Sequence, residues 1–372
     1  MKVLQILPEL NSGGVERGTL EVADFLVKHG HEALVVSGGG RQVGDLEALG
    51  AKHIKMPVHK KSMGSLFQVK RFRKLLEDEK PDILHIRSRV PGWIAYLAWK
   101  KMDPSTRPRL VSTVHGFYSV NKYSAVMTKG ERVIGVSESI RDYIVWNYPR
   151  TDARKISVIH RGVSAREFPF GYEAPPEWRA EWNSLHPRLS GKRLLLLSGR
   201  ITRWKGQIDF IRVVAGLKAK GSDIHGLIVG ETHPKKKAFE AELIQLAEQL
   251  GVNDDITFLG HRRDMKELIS IAGIVYSLSL DPEAFGRVSL EALAIGKPVI
   301  GYAHGGVREQ LEQIFPDGLV KPGDVALAID RSAGILENSP RPSSIGDFTL
   351  ERMLSSTMGV YADVLGQAKK LE

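Results

Sequence analysis

The stretch Glu283-Ala-Phe-Gly-Arg-Val-Ser-Leu-Glu291 holds two carboxylates that bracket a Phe-Gly turn and the first turns of a helix. Glu283 follows an apolar run, Ile274 to Leu278, so we expect it on a loop at the carboxyl end of a strand. Glu291 lies inside the helix, which we expect to end at Gly296. Because ligands of open parallel sheets bind beyond the carboxyl ends of the strands, this spacing predicts that both acids lie near one binding site.

The rest of the chain alternates short runs rich in β-branched residues or leucine with longer helical patterns, which predicts βαβ units and parallel sheets. The predicted strands of the first half are Val3 to Leu7, Ala33 to Ser37, His53 to Met56, Ile83 to Ile86, Leu110 to Val114, Arg132 to Val136 and Ile156 to Ile159. Those of the second half are Arg193 to Leu197, His225 to Val229, Ile256 to Leu259, Ile274 to Tyr276, Pro298 to Tyr302 and Leu319-Val320. The fold class is therefore α/β, with two parallel sheets and a cleft between them.

One stretch breaks this alternation. Phe168 to Leu189 is rich in Pro, Trp and Tyr, and we place the linker between two domains there. The predicted domains are residues 1–167 and 168–346, followed by a helical segment over residues 347–372. In that segment, Leu350 to Leu365 has a helical period and no strand after it, which indicates only that the helix packs somewhere.

The composition excludes several classes of protein. With 372 residues, of which 42% are apolar and 26% charged, the chain is long enough for two globular domains. It has no cysteine, which excludes disulfides, thiolate metal sites and cysteine nucleophiles and agrees with a cytoplasmic location. The apolar run at Met1 to Pro8 is too short for a signal peptide, and no run approaches the roughly 18 apolar residues of a membrane span. We expect any membrane contact to be peripheral.

The net charge of +10 lies almost entirely in the first half of the chain. Ala48 to Leu76 holds eight basic residues and no acidic one. Such a patch attracts anionic lipid headgroups, at about 1 kcal/mol per basic residue, or nucleic acid, but it can also be a solvated helix face. On a helical wheel Val69, Phe72 and Leu76 share one face and Phe67 lies among the basic residues. The exposed aromatic favours contact between the N-terminal domain and an anionic membrane.

A dinucleotide-binding oxidoreductase would share the alternation of strands and helices, but its sequence fingerprint is absent. The first turn, Asn11-Ser-Gly-Gly-Val-Glu-Arg-Gly18, is not Gly-x-Gly-x-x-Gly. The second strand ends at Ser37 and three glycines rather than at an acid that could bind a ribose. We therefore reject this class of enzyme.

Five motifs occur in one order along most of the chain, and together they carry a resemblance to a known family. They are Gly13-Gly14, Thr113-Val-His115-Gly, Ser198-Gly-Arg200-Ile-Thr-Arg-Trp-Lys205-Gly, the stretch from Glu283 to Glu291, and Gly305-Gly306-Val-Arg-Glu309. The chain resembles the retaining glycosyltransferases of family 4. The resemblance implies the GT-B architecture, two Rossmann-like domains facing across a cleft, with the last helix crossing back to the first domain.

The resemblance implies a donor that is a nucleotide-diphosphate sugar, and its leaving diphosphate requires cations or aligned amides. The sequence has no Asp-x-Asp metal motif, so we expect neither a metal nor another cofactor and assign the charge to side chains. Arg200 and Lys205 follow the apolar run Leu194 to Leu197, where both could contact one diphosphate. Without the glutamate pair, the two would be read as ordinary surface cations at a turn.

The same resemblance assigns the two glutamates to the donor. Glu291 accepts hydrogen bonds from the ribose hydroxyls, although an ion pair with Arg287 inside the helix is the alternative. Glu283 contacts hydroxyls of the donor sugar, as a binding residue rather than as a nucleophile. Backbone amides at the helix start would hold the sugar and the phosphate; their residues are Phe285, Gly286, Arg287 and Val288. Nucleobase contacts are expected from His261 to Asp264.

Residues of the first half complete the expected site. By resemblance His115 contacts the donor sugar near the anomeric centre, where a neutral imidazole could also handle protons. Gly13 and Gly14 either let the backbone approach the ligands or form a simple tight turn. For the acceptor, Arg87 and Arg89 beside a tryptophan suggest an acidic or phosphorylated group.

One departure from the family pattern also bears on the acceptor. Where many relatives have Pro-Asn-Gly-Val after the last strand of the first domain, this chain has His160-Arg161-Gly-Val163. The sequence thereby places a cation at the hinge, and Arg161 is assigned to the acceptor, with a contact to the donor phosphate as the alternative. The stretch around Arg87 and Arg89 resembles members of the family that build bacterial lipopolysaccharide core and related envelope glycolipids.

Together with the resemblance, these residues predict a metal-independent retaining glycosyltransferase that moves a hexose to an anionic, lipid-linked or lipopolysaccharide-type glycan at the inner face of the membrane. The alternative is a soluble transferase of the same fold that acts on a small phosphorylated sugar. A nucleic-acid-binding protein is a distant third, because the aromatics form no stacking platform and no reading motif is present. We expect no nucleic acid as a partner.

Overall fold

The computed structural model describes residues 1–11, 13–59, 65–232 and 237–366. The chain divides into a first unit, Met1–His160 with Glu351–Glu372, and a second unit, Arg161–Leu350. The division therefore lies at 160/161 and 350/351, and not at the expected 167/168 and 346/347. The reason is a pairing inside the second unit: Val163 forms a parallel bridge with Thr349, which holds both boundary segments in that unit.

The first unit is built on a seven-stranded parallel sheet with the order β3-β2-β1-β4-β5-β6-β7. Its strands are β1 (Lys2–Ile6), β2 (Glu32–Ser37), β3 (Lys52–Lys55), β4 (Ile83–Ile86), β5 (Arg109–Val114), β6 (Arg132–Gly135) and β7 (Ile156–Val158). The helices between them are α1 (Gly14–Lys28), α2 (Val43–Ala48), α3 (Ser65–Glu79), α4 (Arg89–Lys100) and α5 (Glu138–Asn147). In the central register Leu4 lies between Leu34 and Leu84, all of them buried, as expected of a parallel sheet covered on both faces.

The second unit has a six-stranded parallel sheet with the order β10-β9-β8-β11-β12-β13. Its strands are β8 (Arg193–Ser198), β9 (Ile224–Val229), β10 (Ile256–Gly260), β11 (Ala272–Ser277), β12 (Val299–Tyr302) and β13 (Leu319–Val320). Its helices are α6 (Pro176–Leu185), α7 (Gln207–Ala219), α8 (Lys237–Gln249), α9 (Met265–Ile271), α10 (Arg287–Ala294), α11 (Gly305–Ile314) and α12 (Val325–Asn338). The strand order reverses between β8 and β11, and open α/β sheets bind their ligands at such a switch point.

The segment expected to be a linker is instead part of the second unit. It contains α6, which begins at Pro176, a residue that starts a helix well because its fixed φ suits the first turn. Trp178 stacks on Trp182 with ring centroids 5.4 Å apart, and its Nε1 donates a hydrogen bond of 2.8 Å to Asp264. The Pro- and Trp-rich composition thus reflects packing against a neighbouring loop, and not a free connection.

The C-terminal helix, α13 (Leu350–Val364), returns to the first unit after the second is complete. The Tyr361 hydroxyl lies 2.6 Å from Nδ1 of His85 on β4, and Nε2 of His85 lies 2.7 Å from the Thr113 hydroxyl on β5. Near the helix end, Arg132 donates a hydrogen bond of 2.6 Å to Asp363. The helix thus contacts β4 and β6 directly and is connected to β5 through His85.

No helix in the described part of the chain combines the length and the apolar character that crossing a bilayer requires.

A buried histidine makes the stability of the second unit depend on pH. His225 on β9 is 4% exposed, and its Nε2 lies 2.8 Å from the Thr257 hydroxyl. Burial, and then the nearby Lys192, lower the pKa of His225 to about 4. An unfolded histidine titrates near 6.5, so the unfolded chain takes up the proton first as the pH falls. The stabilisation is therefore complete above pH 6.5 and is lost between pH 6.5 and 4.

We predict that replacing His225 by Gln removes this part of the pH dependence. Between pH 7 and pH 5 the free energy of unfolding of the wild-type protein should fall by on the order of 2 kcal/mol more than that of His225→Gln. Urea titrations at the two pH values measure the difference, with the exposed His261→Gln as the matched control. An unchanged pH dependence in His225→Gln would contradict the assignment.

Candidate functional site

Two residues that are far apart in sequence meet at the carboxyl edge of the second sheet. Lys205 follows β8, Glu283 follows β11, and these strands are neighbours at the switch point. Nζ of Lys205 lies 2.8 Å from Oε1 of Glu283, and the two side chains are only 16% and 20% exposed. The Lys205 ammonium also lies 4.4 Å from the centre of the Trp204 ring. The structure thus brings together Lys205, one of the two predicted cations, and Glu283, the first of the two predicted acids.

Two further contacts fix the position of Glu283, and a third fixes its partner Ser279. The Ser279 hydroxyl donates a hydrogen bond of 2.6 Å to Oε1 of the carboxylate. Nε2 of His304 lies 2.7 Å from the Ser279 carbonyl oxygen, and the Gly306 N–H donates to the Glu283 carbonyl at 2.9 Å. Ser279 and His304 were not predicted as site residues, although Ser279 directly follows the apolar run Ile274 to Leu278 and His304 precedes the Gly305-Gly306 motif.

The glycine motif allows two loops to touch through their backbones. A Cβ atom on Gly306 would lie 2.4 Å from Cα of Phe285 and 2.8 Å from the carbonyl oxygen of Ala284. Only a residue without a side chain permits this approach. The start of α11 therefore presses directly against the loop that carries Glu283.

The start of α10 is held in the same way. Gly286 is its N-cap residue, with φ of 87°, and Arg287 is its first residue. The Gln310 side-chain amide on α11 donates hydrogen bonds to the carbonyls of Phe285 and Gly286, at 2.6 Å and 3.2 Å. Gln310 is fully buried, so the peptide groups from Phe285 to Val288 are fixed with the positive end of the helix beside Glu283.

The second acid is paired inside its own helix. Nε of Arg287 lies 3.7 Å from Oε1 of Glu291, so the ion pair that was the alternative to a ribose contact is present. Glu291 is buried. A role in ribose binding stays a prediction for this residue.

Arg200 lies at the same edge, where a hydrogen bond to its backbone carbonyl holds it in place. Its side chain is exposed, and its carbonyl accepts a hydrogen bond of 3.1 Å from the amide of the buried Gln207. Gly206 caps α7 with φ of 78°, and a Cβ there would lie 2.0 Å from the Leu278 carbonyl oxygen. The turn that carries Arg200 and Lys205 is therefore packed against the end of the β11 segment.

The loop expected to contact the nucleobase is internally bonded. Arg262 donates two hydrogen bonds to the Asp264 carboxylate, at 2.8 Å and 2.5 Å, and Trp178 donates to the same group. Arg262 and Asp264 thus hold each other, while His261 is exposed. Within the described residues no cluster of three or more His, Cys, Asp or Glu could hold a metal ion.

In the first unit, the predicted site residues lie at the ends of strands and starts of helices. His115 follows β5, is half-buried, and donates its backbone N–H to the Tyr118 hydroxyl at 3.2 Å. Gly13 is the N-cap residue of α1 and Gly14 its first residue, and both are exposed. Arg89 begins α4, with its guanidinium carbon 4.5 Å from the centre of the Tyr118 ring.

Two arginines assigned to the acceptor are buried. Arg87 is 2% exposed, and its Nη1 donates a hydrogen bond of 2.8 Å to Gln5 on β1; burial lowers its pKa. The expected acceptor contact of Arg87 therefore has to be corrected, because this side chain offers almost no surface to a ligand. The cause is that Arg87 follows β4 directly and its side chain extends to Gln5 on the neighbouring strand β1. Arg161, the first residue of the second unit, is also buried.

The basic surface of α3 has the arrangement that the helical pattern predicts. Val69, Phe72 and Leu76 are buried, and Phe67 is 77% exposed. Lys60 and Lys61, which belong to the same basic stretch of sequence, lie outside the described residues.

We predict that Gly306→Ala destabilises the second unit, because the new methyl group would overlap Cα of Phe285. The free energy of unfolding should fall by at least about 2 kcal/mol, in the range of overpacked cores. Gly334→Ala is the matched control, since that helical glycine has nothing within 4 Å of its Cβ position and the change should be neutral or stabilising by up to about 1 kcal/mol. Equal urea midpoints for the two variants would contradict the close approach.

Comparison with known proteins gives matches along most of the chain. A family model described as glycosyl transferases group 1 matches residues 179–351, and one described as Glycosyltransferase Family 4 matches residues 12–167. N-acetyl-alpha-D-glucosaminyl L-malate synthase of Bacillus anthracis is 25% identical over 317 residues, which cover 78% of this chain and 77% of that protein.

Solved structures match over nearly the full length. The crystal structure of a glycosyltransferase from Rickettsia africae ESF-5 has a TM-score of 0.83 and 31% identity, and the match covers 98% of each chain. Anabaena HepE, solved in complex with UDP and glucose, has a TM-score of 0.76 and 20% identity over 100% of this chain and 98% of that one. The second match shows a shared fold.

Proposed function

The chain belongs to the glycosyltransferases, with a family 4 domain followed by a group 1 domain, and from this we propose that it transfers a hexose from a nucleotide-diphosphate sugar to an anionic glycan acceptor. The observation that carries the proposal is the Lys205–Glu283 pair at the switch point, 2.8 Å apart and beside the start of α10. We further propose that the anomeric configuration is retained and that no metal takes part.

The proposed step places growing negative charge where the second unit offers positive charge. The bond between the anomeric carbon and the diphosphate oxygen breaks, and the acceptor hydroxyl oxygen bonds to that carbon on the same face. The proton of that hydroxyl passes to the departing diphosphate. Lys205, Arg200 and the amides at the start of α10 offset the charge that develops on the diphosphate, and fixed donors do this best because they need not reorient.

Glu283 supports this step by binding and positioning. Its Oε1 receives both the Ser279 hydroxyl and the Lys205 ammonium, so the carboxylate holds the ammonium at a fixed place. Its second oxygen is assigned to hydroxyls of the donor sugar. Glu291 is assigned to the ribose hydroxyls, and His115 in the first unit to the donor sugar.

The acceptor is proposed to be anionic. The relative from Bacillus anthracis is named for a product of L-malate, a dicarboxylate, which supports an anionic acceptor. Arg89 and Arg161 are the cations assigned to it. A lipid-linked or lipopolysaccharide-type glycan at the inner membrane face is proposed because α3 presents an exposed Phe67 among basic residues.

We predict that one nucleotide sugar stabilises the protein and is hydrolysed slowly with chelator present. A thermal-shift and diphosphate-release panel of UDP-, GDP- and ADP-sugars measures this, and the UDP-sugars come first because HepE was solved with UDP and glucose. Lys205→Ala should weaken donor binding roughly ten- to a hundredfold, the size of a lost charge-assisted hydrogen bond. The matched control is Lys220→Ala, an exposed lysine paired with Asp330 on the same unit.

Two outcomes would contradict the donor proposal. One is that no nucleotide sugar shifts the melting curve while oligonucleotides bind tightly and with strong salt dependence. The other is that Lys205→Ala and Lys220→Ala weaken donor binding equally, which would remove the diphosphate from the Lys205 site. Loss of activity on chelation alone would overturn only the metal-free mechanism.

We predict that the protein sediments with anionic phosphatidylglycerol vesicles and not with neutral phosphatidylcholine vesicles. Phe67→Ala and the double change Lys70→Ala/Arg71→Ala should each weaken this binding several-fold, because both changes remove headgroup contacts. Phe170→Ala, an exposed phenylalanine of the second unit, is the control. If the protein ignores both vesicle types and glycosylates a small sugar phosphate, the soluble alternative replaces the membrane proposal.

A further inference from the structure

The second unit has a cavity of about 580 Å³ that the proposed chemistry does not use. It is lined by Leu194 near the start of β8, by Ile271 at the end of α9, and by Ile295 to Lys297 after α10. These positions lie at the amino ends of the strands. The cavity is therefore at the opposite edge of the sheet from Lys205 and Glu283.

The wall of the cavity carries more positive than negative charge. Arg179, Lys192, Lys297 and Arg341 line it, together with one carboxylate, Glu173. Arg179 pairs with Glu173 at 2.9 Å, and Lys192 pairs with an aspartate outside the lining at 3.5 Å. Among the described residues, Lys297 and Arg341 have no ion-pair partner. Two cations thus remain to be balanced.

Helix ends do not account for both of these cations. The C-terminal ends of α9 and α10 lie at the cavity, and the C-terminal end of a helix carries about half a negative charge. Two such ends offset about one cation. One positive charge is left over in a partly enclosed space, where its attraction to an anion is stronger than in open water.

Lys297 is the cation of this cavity whose pKa is shifted by its surroundings. It is half-buried, and burial lowers its pKa; Arg179 and Arg341 lower it further, against the opposing influence of Glu173. Repulsion from two neighbouring guanidinium groups without a dedicated counter-ion is costly, and a bound anion would remove that cost.

The cavity also offers an apolar wall. Phe170 is 56% exposed, an unusual state for a phenylalanine, and its ring covers Gly296: a Cβ there would lie 2.9 Å from Cε2 of Phe170. Tyr172 also lines the cavity, and its hydroxyl donates a hydrogen bond of 2.9 Å to Glu267. Ligand pockets of this size combine such rings with a few placed polar groups.

We infer that this cavity binds a small phosphate ester, with the phosphate between Lys297 and Arg341 and the carbon part against Phe170. The forked guanidinium and the ammonium suit a phosphate dianion, and the ring suits a sugar or glycerol moiety. The site is separate from the donor site, because α10 carries one at its first residues and the other just after its last. The proposed phosphate-ester site does not depend on which sugar the protein transfers.

Isothermal titration of the full-length protein tests the inference with glucose 6-phosphate, glycerol 3-phosphate, inorganic phosphate and glucose. The esters should bind, and neutral glucose should not. Arg341→Ala, a change at an exposed position, should raise the Kd of the esters at least fivefold, and Lys297→Ala/Arg341→Ala should raise it further. Arg308→Ala, an exposed arginine paired with Glu312, is the matched control and should leave the Kd unchanged.

A second comparison separates this cavity from other places where a sugar phosphate could bind. Phe170→Ala should weaken the esters several-fold and leave inorganic phosphate unaffected, while Lys205→Ala at the donor edge should change neither. The inference is overturned if no ester binds, if Arg341→Ala and the double variant Lys297→Ala/Arg341→Ala leave the Kd of the esters unchanged, or if Lys205→Ala abolishes binding. Equal Kd values for phosphate and its esters would overturn the contact with Phe170.

Discussion

The candidate site depends on one constraint of the second sheet, the adjacency of β8 and β11. Parallel strands that follow each other in sequence need a crossover, and the sheet grows outward from β8 in one direction and from β11 in the other. At that reversal the two carboxyl-end loops have no helix between them. Lys205 and Glu283, 78 residues apart in sequence, therefore share a hydrogen bond.

A half-buried ion pair of this kind adds little to stability by itself, because the desolvation of both groups cancels much of their attraction. The surrounding contacts instead fix its geometry. Ser279 satisfies the carboxylate, and close glycine contacts hold the loops on either side. The protein thus maintains two opposite charges at a fixed separation and at an accessible edge. Such an arrangement suits a site that must receive a charged ligand without rearranging.

The sequence predicted those parts of the molecule that depend on local pattern. The strands follow from apolar runs such as Leu194 to Leu197, and α10 from the period of Arg287 to Ala294 and the glycine after it. The predictions were wrong where a contact with a residue distant in sequence determines the structure. The burial of Arg87 depends on Gln5 in another strand, and the packing of α6 depends on the bond from Trp178 to Asp264. Ser279 and His304 matter through what they touch, which no spacing in the sequence records.

The return of α13 to the first unit has a consequence for biosynthesis. Tyr361 completes a buried chain of hydrogen bonds with His85 and Thr113, so the first unit lacks this part of its interior until the ribosome has made the whole second unit and α13. The second unit, which is encoded in between, can close its own sheet earlier. The nascent protein must therefore keep the surface around His85 available until α13, which follows the second unit in sequence, emerges from the ribosome.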